Sequence, residues 1–143
     1  MKILVISKKD GGESIAPVHI PFEETGAENN EIIAIDAEKD VSEEEIELAY
    51  HLAKKCQKNG TCIAKKLRYE FLLWLAGKKD IKSTLTWAGI SKVRETEMKR
   101  AVIVCFEGQV KLPSGWVEDT EHRYKIRKKA LPLEIERISL SRL

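Results

Sequence analysis

The distribution of apolar and polar residues predicts three strands. Residues 2–6 and 31–35 are short apolar runs rich in β-branched side chains, a composition that favours buried strands. Residues 101–106 are apolar at every position, as in a central strand that is covered on both faces. Residues 16–20 are compatible with an additional short edge strand.

A first helix is expected to begin after Ser42. Glu45 stands three residues after Ser42, which is the spacing of a capping box. Val41 and Ile46 flank this start and can form a hydrophobic staple. Apolar positions then recur with helical spacing, and Gly60 can end the helix.

Three more helices are expected, and one further segment is ambiguous. A second helix is expected over residues 64–76, and Asp80 can cap a short third helix that reaches Ala88. A helix is also expected near Pro132, because proline is tolerated in a first turn. Residues 121–130 fit either a strand or a helix. The order of these elements indicates a single α+β domain over residues 1–143.

Composition places the chain among soluble proteins. The apolar run at the start is too short for a signal peptide, and no stretch approaches the roughly 20 apolar residues of a membrane helix. We therefore expect a cytoplasmic protein with no membrane partner. The three cysteines and three histidines match no disulfide or metal-ligand spacing, so no metal or cofactor is expected.

The near-neutral total charge hides an uneven distribution. Residues 23–47 carry eleven acidic residues and one lysine, whereas residues 54–100 carry thirteen basic and four acidic residues. Two solvated faces would explain this pattern, and so would a polyanion-binding surface on the basic part. Motifs typical of nucleotide-binding loops, hydrolase elbows and metalloenzymes are absent from the sequence, so we expect a non-enzyme without a small-molecule substrate.

The segment from Asn59 to Ile81 is the candidate functional centre. A glycine-containing loop leads to a helix start, where unpaired N–H groups attract phosphate. Basic residues in a first turn oppose the helix dipole, so an external anion would explain them, and an aromatic side chain offers a stacking face. A helix with a solvated lysine face is the alternative. The RNA-binding candidates are Lys58, Asn59, Lys65, Lys66, Arg68, Tyr69, Leu73, Lys78, Lys79 and Ile81.

Four stretches of the sequence resemble one family. They are IAKKLRYEFLLWLAGKKDI at residues 63–81, WAGI at 87–90, AVIVCF at 101–106 and LPLEIERISLSRL at 131–143. In order and spacing they are similar to the TPRKB family, the tRNA-recruiting subunits of the KEOPS complex. The resemblance covers about two-thirds of the chain, from Ser42 to Phe106 and again over the last stretch.

The resemblance implies a fold and a function. The family fold is a small, mainly antiparallel sheet flanked by helices. The KEOPS complex makes the threonylcarbamoyl modification of the adenosine beside the anticodon, and this subunit is non-catalytic. It binds the single-stranded 3′ CCA end of tRNA and docks on a kinase-like ATPase subunit.

The family roles carry over to particular positions. Lys65, Lys66 and Arg68 would hold phosphates, while Leu73 and Ile81 would offer apolar surface to bases. Partner docking would use the last predicted helix, through Pro132, Ile135, Ile138, Leu140 and Leu143. Many family members have Asn at the position of Cys62, and residues 107–130 do not match the family clearly, so no role is carried over there.

Two other functions remain open from the sequence. The chain could be a protein-interaction module that regulates a small kinase without binding RNA, using the acidic segment and the last helix. It could also be a small enzyme in which Cys62 is a thiolate, since cysteines near helix starts and lysines can have a lowered pKa. The enzyme alternative is weakened because no histidine is placed by sequence to act as a base for Cys62.

Overall fold

The computed structural model of the chain describes residues 1–8, 32–88, 99–107 and 115–142. Within these ranges the strands are β1 (Lys2–Lys8), β2 (Ile32–Asp36), β3 (Arg100–Cys105) and β4 (Trp116–Glu118). The helices are α1 (Glu43–Asn59), α2 (Leu67–Ala76), α3 (Ile81–Trp87), α4 (Thr120–Lys125) and α5 (Pro132–Leu140).

The strands form one sheet in the order β2-β3-β1-β4, and every neighbouring pair is antiparallel. The α+β class and the antiparallel sheet are therefore confirmed. The three predicted strands are present, with bounds shifted by one or two residues. β4 was not predicted, and residues 16–20 lie outside the described part of the chain.

The described residues group into two compact units. The first unit comprises residues 1–39 and 88–125 and contains the sheet with α4. The second comprises residues 40–87 and 126–143 and contains the other four helices. One domain spanning residues 1–143 stays a prediction.

In the first unit the sheet is buried on both faces. Because side chains alternate along a strand, Leu4, Ile6 and Ile103 belong to one face and Val5 and Val102 to the other. All five are buried. This explains why β3 is apolar at every position from Ala101 to Cys105.

In the second unit α1 begins with the predicted capping box. The Ser42 N–H donates to the Glu45 carboxylate at 2.7 Å, and the Glu45 N–H donates to the Ser42 hydroxyl at 3.2 Å. Ile46, Ala49 and Ala53 form its buried stripe. These contacts satisfy two of the backbone donors that a helix start leaves unpaired.

Candidate nucleic-acid interface

The loop between α1 and α2 gathers the first group of predicted RNA-binding residues. α1 ends at Gly60, whose left-handed backbone (φ 69°) lets the Thr61 N–H donate to the Cys56 carbonyl at 3.0 Å. α1 and α2 contact each other and are joined by residues 60–66, as in an antiparallel helix pair. The end of α1 and the start of α2 therefore lie together, and we call the solvent-reaching side chains there the loop surface: Lys58, Asn59, Ile63, Lys65, Lys66, Arg68 and Tyr69.

The lysines of the loop surface carry charge that the described protein does not neutralise. Lys58, Lys65 and Lys66 are exposed. None of the three forms an ion pair with another described residue. Their ammonium groups are therefore accessible to an external anion.

α2 starts later than predicted, at Leu67 instead of residue 64. Lys66 is the N-cap residue, and its side chain makes no capping hydrogen bond. Its carbonyl accepts the N–H groups of Tyr69 and Glu70 at 3.1 and 3.0 Å. The placement of Lys65 and Lys66 in the first turn is thus wrong. Only Arg68 lies inside the turn, where the dipole penalty applies in full.

Arg68 and Tyr69 form a preassembled cationic and aromatic group. The Arg68 guanidinium lies 5.0 Å from the centroid of the Tyr69 ring, and its Nη2 lies 3.5 Å from the Tyr69 hydroxyl. Both side chains are partly exposed. A flat charged group beside a ring is the arrangement on which unstacked bases and their phosphates bind.

Ile63 belongs to the loop surface but was not among the predicted residues. Its side chain is 47% exposed although it is aliphatic. It stands in the loop, outside the apolar stripe of either helix, and this is the sequence signal that could have identified it. An exposed apolar group between lysines suits the face of a base.

Glu70 is a fully buried acid within the first turn of α2. Its two carboxylate oxygens lie 3.1 and 3.2 Å from the Ile63 backbone nitrogen, which donates to them. The same carboxylate pairs with the Arg142 guanidinium. The Arg142 guanidinium also lies 4.1 Å from the ring centroid of Trp74 and within 3.7 Å of the Cys56 sulfur.

The remaining predicted RNA-binding residues lie at the other end of α2. Since α2 has ten residues, the two ends are roughly 15 Å apart. Lys79 and Ile81 are exposed there, and Lys78 is half-buried. We call Lys78, Lys79, Ile81 and Lys82 the distal surface. The predicted set is therefore divided into two surfaces on one helix pair.

Leu73 departs from its predicted role. Its side chain is fully buried in α2, so it cannot offer apolar surface to a base in this conformation. Its carbonyl accepts the Lys78 N–H at 3.0 Å, which helps to close the helix at Gly77. Leu73 thus stabilises the end of α2 that carries the distal surface.

The predicted docking residues on α5 are also divided by burial. Pro132 and Leu140 are exposed, Ile135 is half-buried, and Leu143 lies outside the described residues. Ile138 is fully buried, so its assignment to a docking surface is wrong. Two leucines that were not predicted complete the exposed face, Leu131 at 61% and Leu133 at 77% exposure.

Arginines hold the α5 segment in the second unit. Arg127 donates to both carboxylate oxygens of Glu134 at 3.1 and 3.0 Å and to Asp40 at 3.0 Å. The hydrogen bonds from Arg127 hold the pKa of Glu134 below its usual range. Arg137 donates to Glu45 and to the Leu75 carbonyl, each at 3.1 Å. The exposed leucines therefore sit on an anchored helix.

Cys62 does not have the environment of a thiolate nucleophile. Burial, reinforced by the neighbouring Glu70 carboxylate, raises the pKa of its thiol to about 11. A thiol with that pKa is almost wholly protonated at neutral pH. The environment of Cys62 thus argues against its use as a nucleophile.

The first unit contains a polar network that sequence reasoning did not identify. Asp119 accepts hydrogen bonds from the Ser7 hydroxyl at 2.5 Å, from Arg100 Nε at 3.2 Å and from the His122 backbone at 3.0 Å. The Ser7 hydrogen bond is the main cause that lowers the pKa of Asp119 to about 2. Arg100 and His122 also line an open cleft of about 370 Å³ with Asp36. The network ties β1, β3 and the start of α4 together.

No group of three or more His, Cys, Asp or Glu side chains suited to a metal ion occurs within the described ranges. Among the helices of those ranges, none has the length and apolarity required to cross a membrane. Comparison with models of known protein families found no match, and comparison with curated proteins found no significant similarity. The likeness to the TPRKB family therefore rests on the stretches quoted above.

Proposed function

We propose that this protein is a non-catalytic subunit of a KEOPS complex that binds the single-stranded 3′ CCA end of tRNA and docks on the kinase-like ATPase subunit. The observation that carries the proposal is the loop surface. It combines unneutralised lysines, a guanidinium beside an aromatic ring and an exposed aliphatic side chain at one helix start.

Each part of the loop surface suits one part of a single-stranded RNA. Lys65 and Lys66 supply charge for phosphates, which dominate nucleic-acid affinity. Tyr69 and Ile63 supply faces for bases that are not stacked in a duplex. The distal surface adds Lys79 and Ile81 roughly 15 Å away along α2, so a single strand of several nucleotides is needed to contact both.

The exposed face of α5 supports the docking part of the proposal. Leu133 and Leu140 are seven residues apart and lie on one side of the helix, and Leu131 precedes them. Large exposed leucines on an anchored helix are typical of a protein-binding surface. This face is also the observation that favours the second candidate, a protein-interaction module that regulates a small protein kinase without RNA binding.

Charge reversal distinguishes these two candidates. The variant Lys65→Glu, Lys66→Glu and Arg68→Glu should bind tRNA far more weakly, because three phosphate contacts are replaced by repulsion. The slope of log affinity against log salt should fall by about 2, at roughly 0.7 per single-strand contact. The fold should persist, since acids near a helix start favour the dipole. Filter binding across a salt series and a thermal melt measure both quantities.

A matched control carries the same change of charge elsewhere. Lys2→Glu, Lys99→Glu and Lys128→Glu alter three exposed lysines that lie outside both surfaces. This control should retain most of the tRNA affinity. If both triple variants lose affinity equally, the loop surface is not the RNA site. If neither variant loses affinity, the result favours the protein-interaction module that does not bind RNA.

A further inference from the structure

Glu70 joins two parts of the second unit that the proposed function uses separately. Its carboxylate accepts the Ile63 N–H, and Ile63 lies in the loop that carries Lys65 and Lys66. The same carboxylate pairs with Arg142, which follows α5. One buried acid thus contacts both the loop surface and the segment that bears the docking face.

Burial makes the two contacts of Glu70 interdependent. The Glu70 side chain is fully buried, between the apolar residues Leu67 and Phe71 of α2. A buried carboxylate is stable only if it is paired and hydrogen-bonded. Arg142 supplies the pairing charge, so removing it leaves Glu70 without its counter-charge and loosens its hold on the Ile63 backbone.

Arg142 is itself placed by its surroundings. Its guanidinium lies over the Trp74 ring at 4.1 Å from the centroid. Its side chain is only 14% exposed, so it lies within the unit and not in solvent. Earlier in the segment, Arg137 bonds to Glu45 and fixes α5 against α1. Arg142 therefore reaches Glu70 only when the α5 segment is seated, that is, packed against α1 and α2.

We propose that Glu70 and Arg142 are positioning residues, which hold the RNA-binding loop in its binding geometry only while the α5 segment is seated. The inference rests on the proposed function and adds its regulation. A partner that binds Leu133 and Leu140 and keeps α5 seated raises the affinity of this chain for RNA. By linkage, bound RNA strengthens that docking by the same factor.

The test uses the full chain, intact tRNA as the probe and two substitutions of the same arginine. Arg142→Met removes the charge and the hydrogen bonds, whereas Arg142→Lys keeps the charge. The matched control is Arg100→Met, which also breaks an arginine–carboxylate pair but contacts Asp119 in the first unit and not the α5 segment. Affinity is measured well below the melting temperature of each variant, and amide hydrogen exchange is followed at Ile63.

Arg142→Met should weaken tRNA binding at least about fivefold, the lower range of typical coupling between sites. Exchange of the Ile63 amide should accelerate more than exchange of the β3 amides. Arg142→Lys should recover part of the affinity, and Arg100→Met should bind like the wild-type chain. If Arg142→Met does not fold, the Lys variant carries the same prediction with a smaller loss.

Two results overturn the inference. One is wild-type affinity in the Arg142 variants, and the other is an equal loss in Arg100→Met, which would trace the effect to general stability. If the wild-type chain does not bind tRNA, the proposed function fails. In that case Ile63 exchange alone decides the positioning role, and unchanged exchange in Arg142→Met rejects it.

Discussion

Cys62 shows how burial, reinforced by a neighbouring acid, determines the chemistry of a single residue. From the sequence, a cysteine beside lysines and a helix start was a candidate thiolate, because such surroundings lower a thiol pKa. In the structure, burial is the largest influence on Cys62, and the Glu70 carboxylate acts in the same direction. The lysines that suggested the opposite shift point to solvent.

Alkylation of Cys62 should therefore be slow at neutral pH. With a pKa of about 11, the thiolate fraction and the labelling rate should rise about tenfold per pH unit from pH 7 to pH 10. Iodoacetamide labelling, located by mass spectrometry and compared with a free cysteine derivative, measures this. Labelling of Cys62 faster than the free derivative at pH 7 would contradict the assigned environment.

Burial at single positions was the least predictable property of the chain. Helical spacing identified Leu73 and Ile138 as apolar, but spacing does not tell which apolar side chains face the core when most positions of a helix are apolar. Leu133 was missed for the same reason, whereas Ile63 lies in the loop between α1 and α2, where no helical spacing applies. Glu70 could have been found, because an acid between Leu67 and Phe71 falls on the apolar stripe of α2.

The ends of α1 and α2 were predicted correctly, whereas the start of α2 was not. α1 was expected to end at Gly60 and the second helix at residue 76, and Gly60 and Gly77 both adopt the left-handed backbone with φ of 69° and 68°. A glycine stop needs only local geometry. The start of α2 has no side-chain cap at Lys66, so no local signal marked it, and β4 has three residues, too few to show a period.

The two stop glycines differ in what surrounds them, which gives a matched pair of substitutions. An added Cβ at Gly60 would meet nothing within 4 Å, whereas at Gly77 it would lie 3.1 Å from Arg137 Cγ. Gly60→Ala should lower the free energy of unfolding by about 1–2 kcal/mol, the cost of a left-handed alanine. Gly77→Ala should cost more, because Arg137 must also move. Urea denaturation measures the loss of unfolding free energy in both variants. Equal losses would show that the Arg137 side chain moves aside at no cost.

At the scale of the whole chain, several arginines are paired with buried or partly buried acids, whereas the lysines of the loop surface are exposed. Several arginines are used internally: Arg100 with Asp119, Arg127 with Glu134, and Arg142 with Glu70. The lysines of the loop surface form no such pair among the described residues. Composition revealed the basic half of the sequence but could not tell paired arginines from exposed lysines, since that depends on contacts between distant positions.

The most direct measurement compares intact tRNA with the same tRNA lacking its 3′ CCA end, each titrated against the full chain at one fixed salt concentration. Binding through the loop surface predicts that truncation weakens affinity by about tenfold or more, since each lost base stack costs about 1–3 kcal/mol. The intact tRNA should also lose its advantage in the Lys65→Glu, Lys66→Glu and Arg68→Glu variant. Equal affinity of the wild-type chain for the two tRNAs would contradict the proposed function.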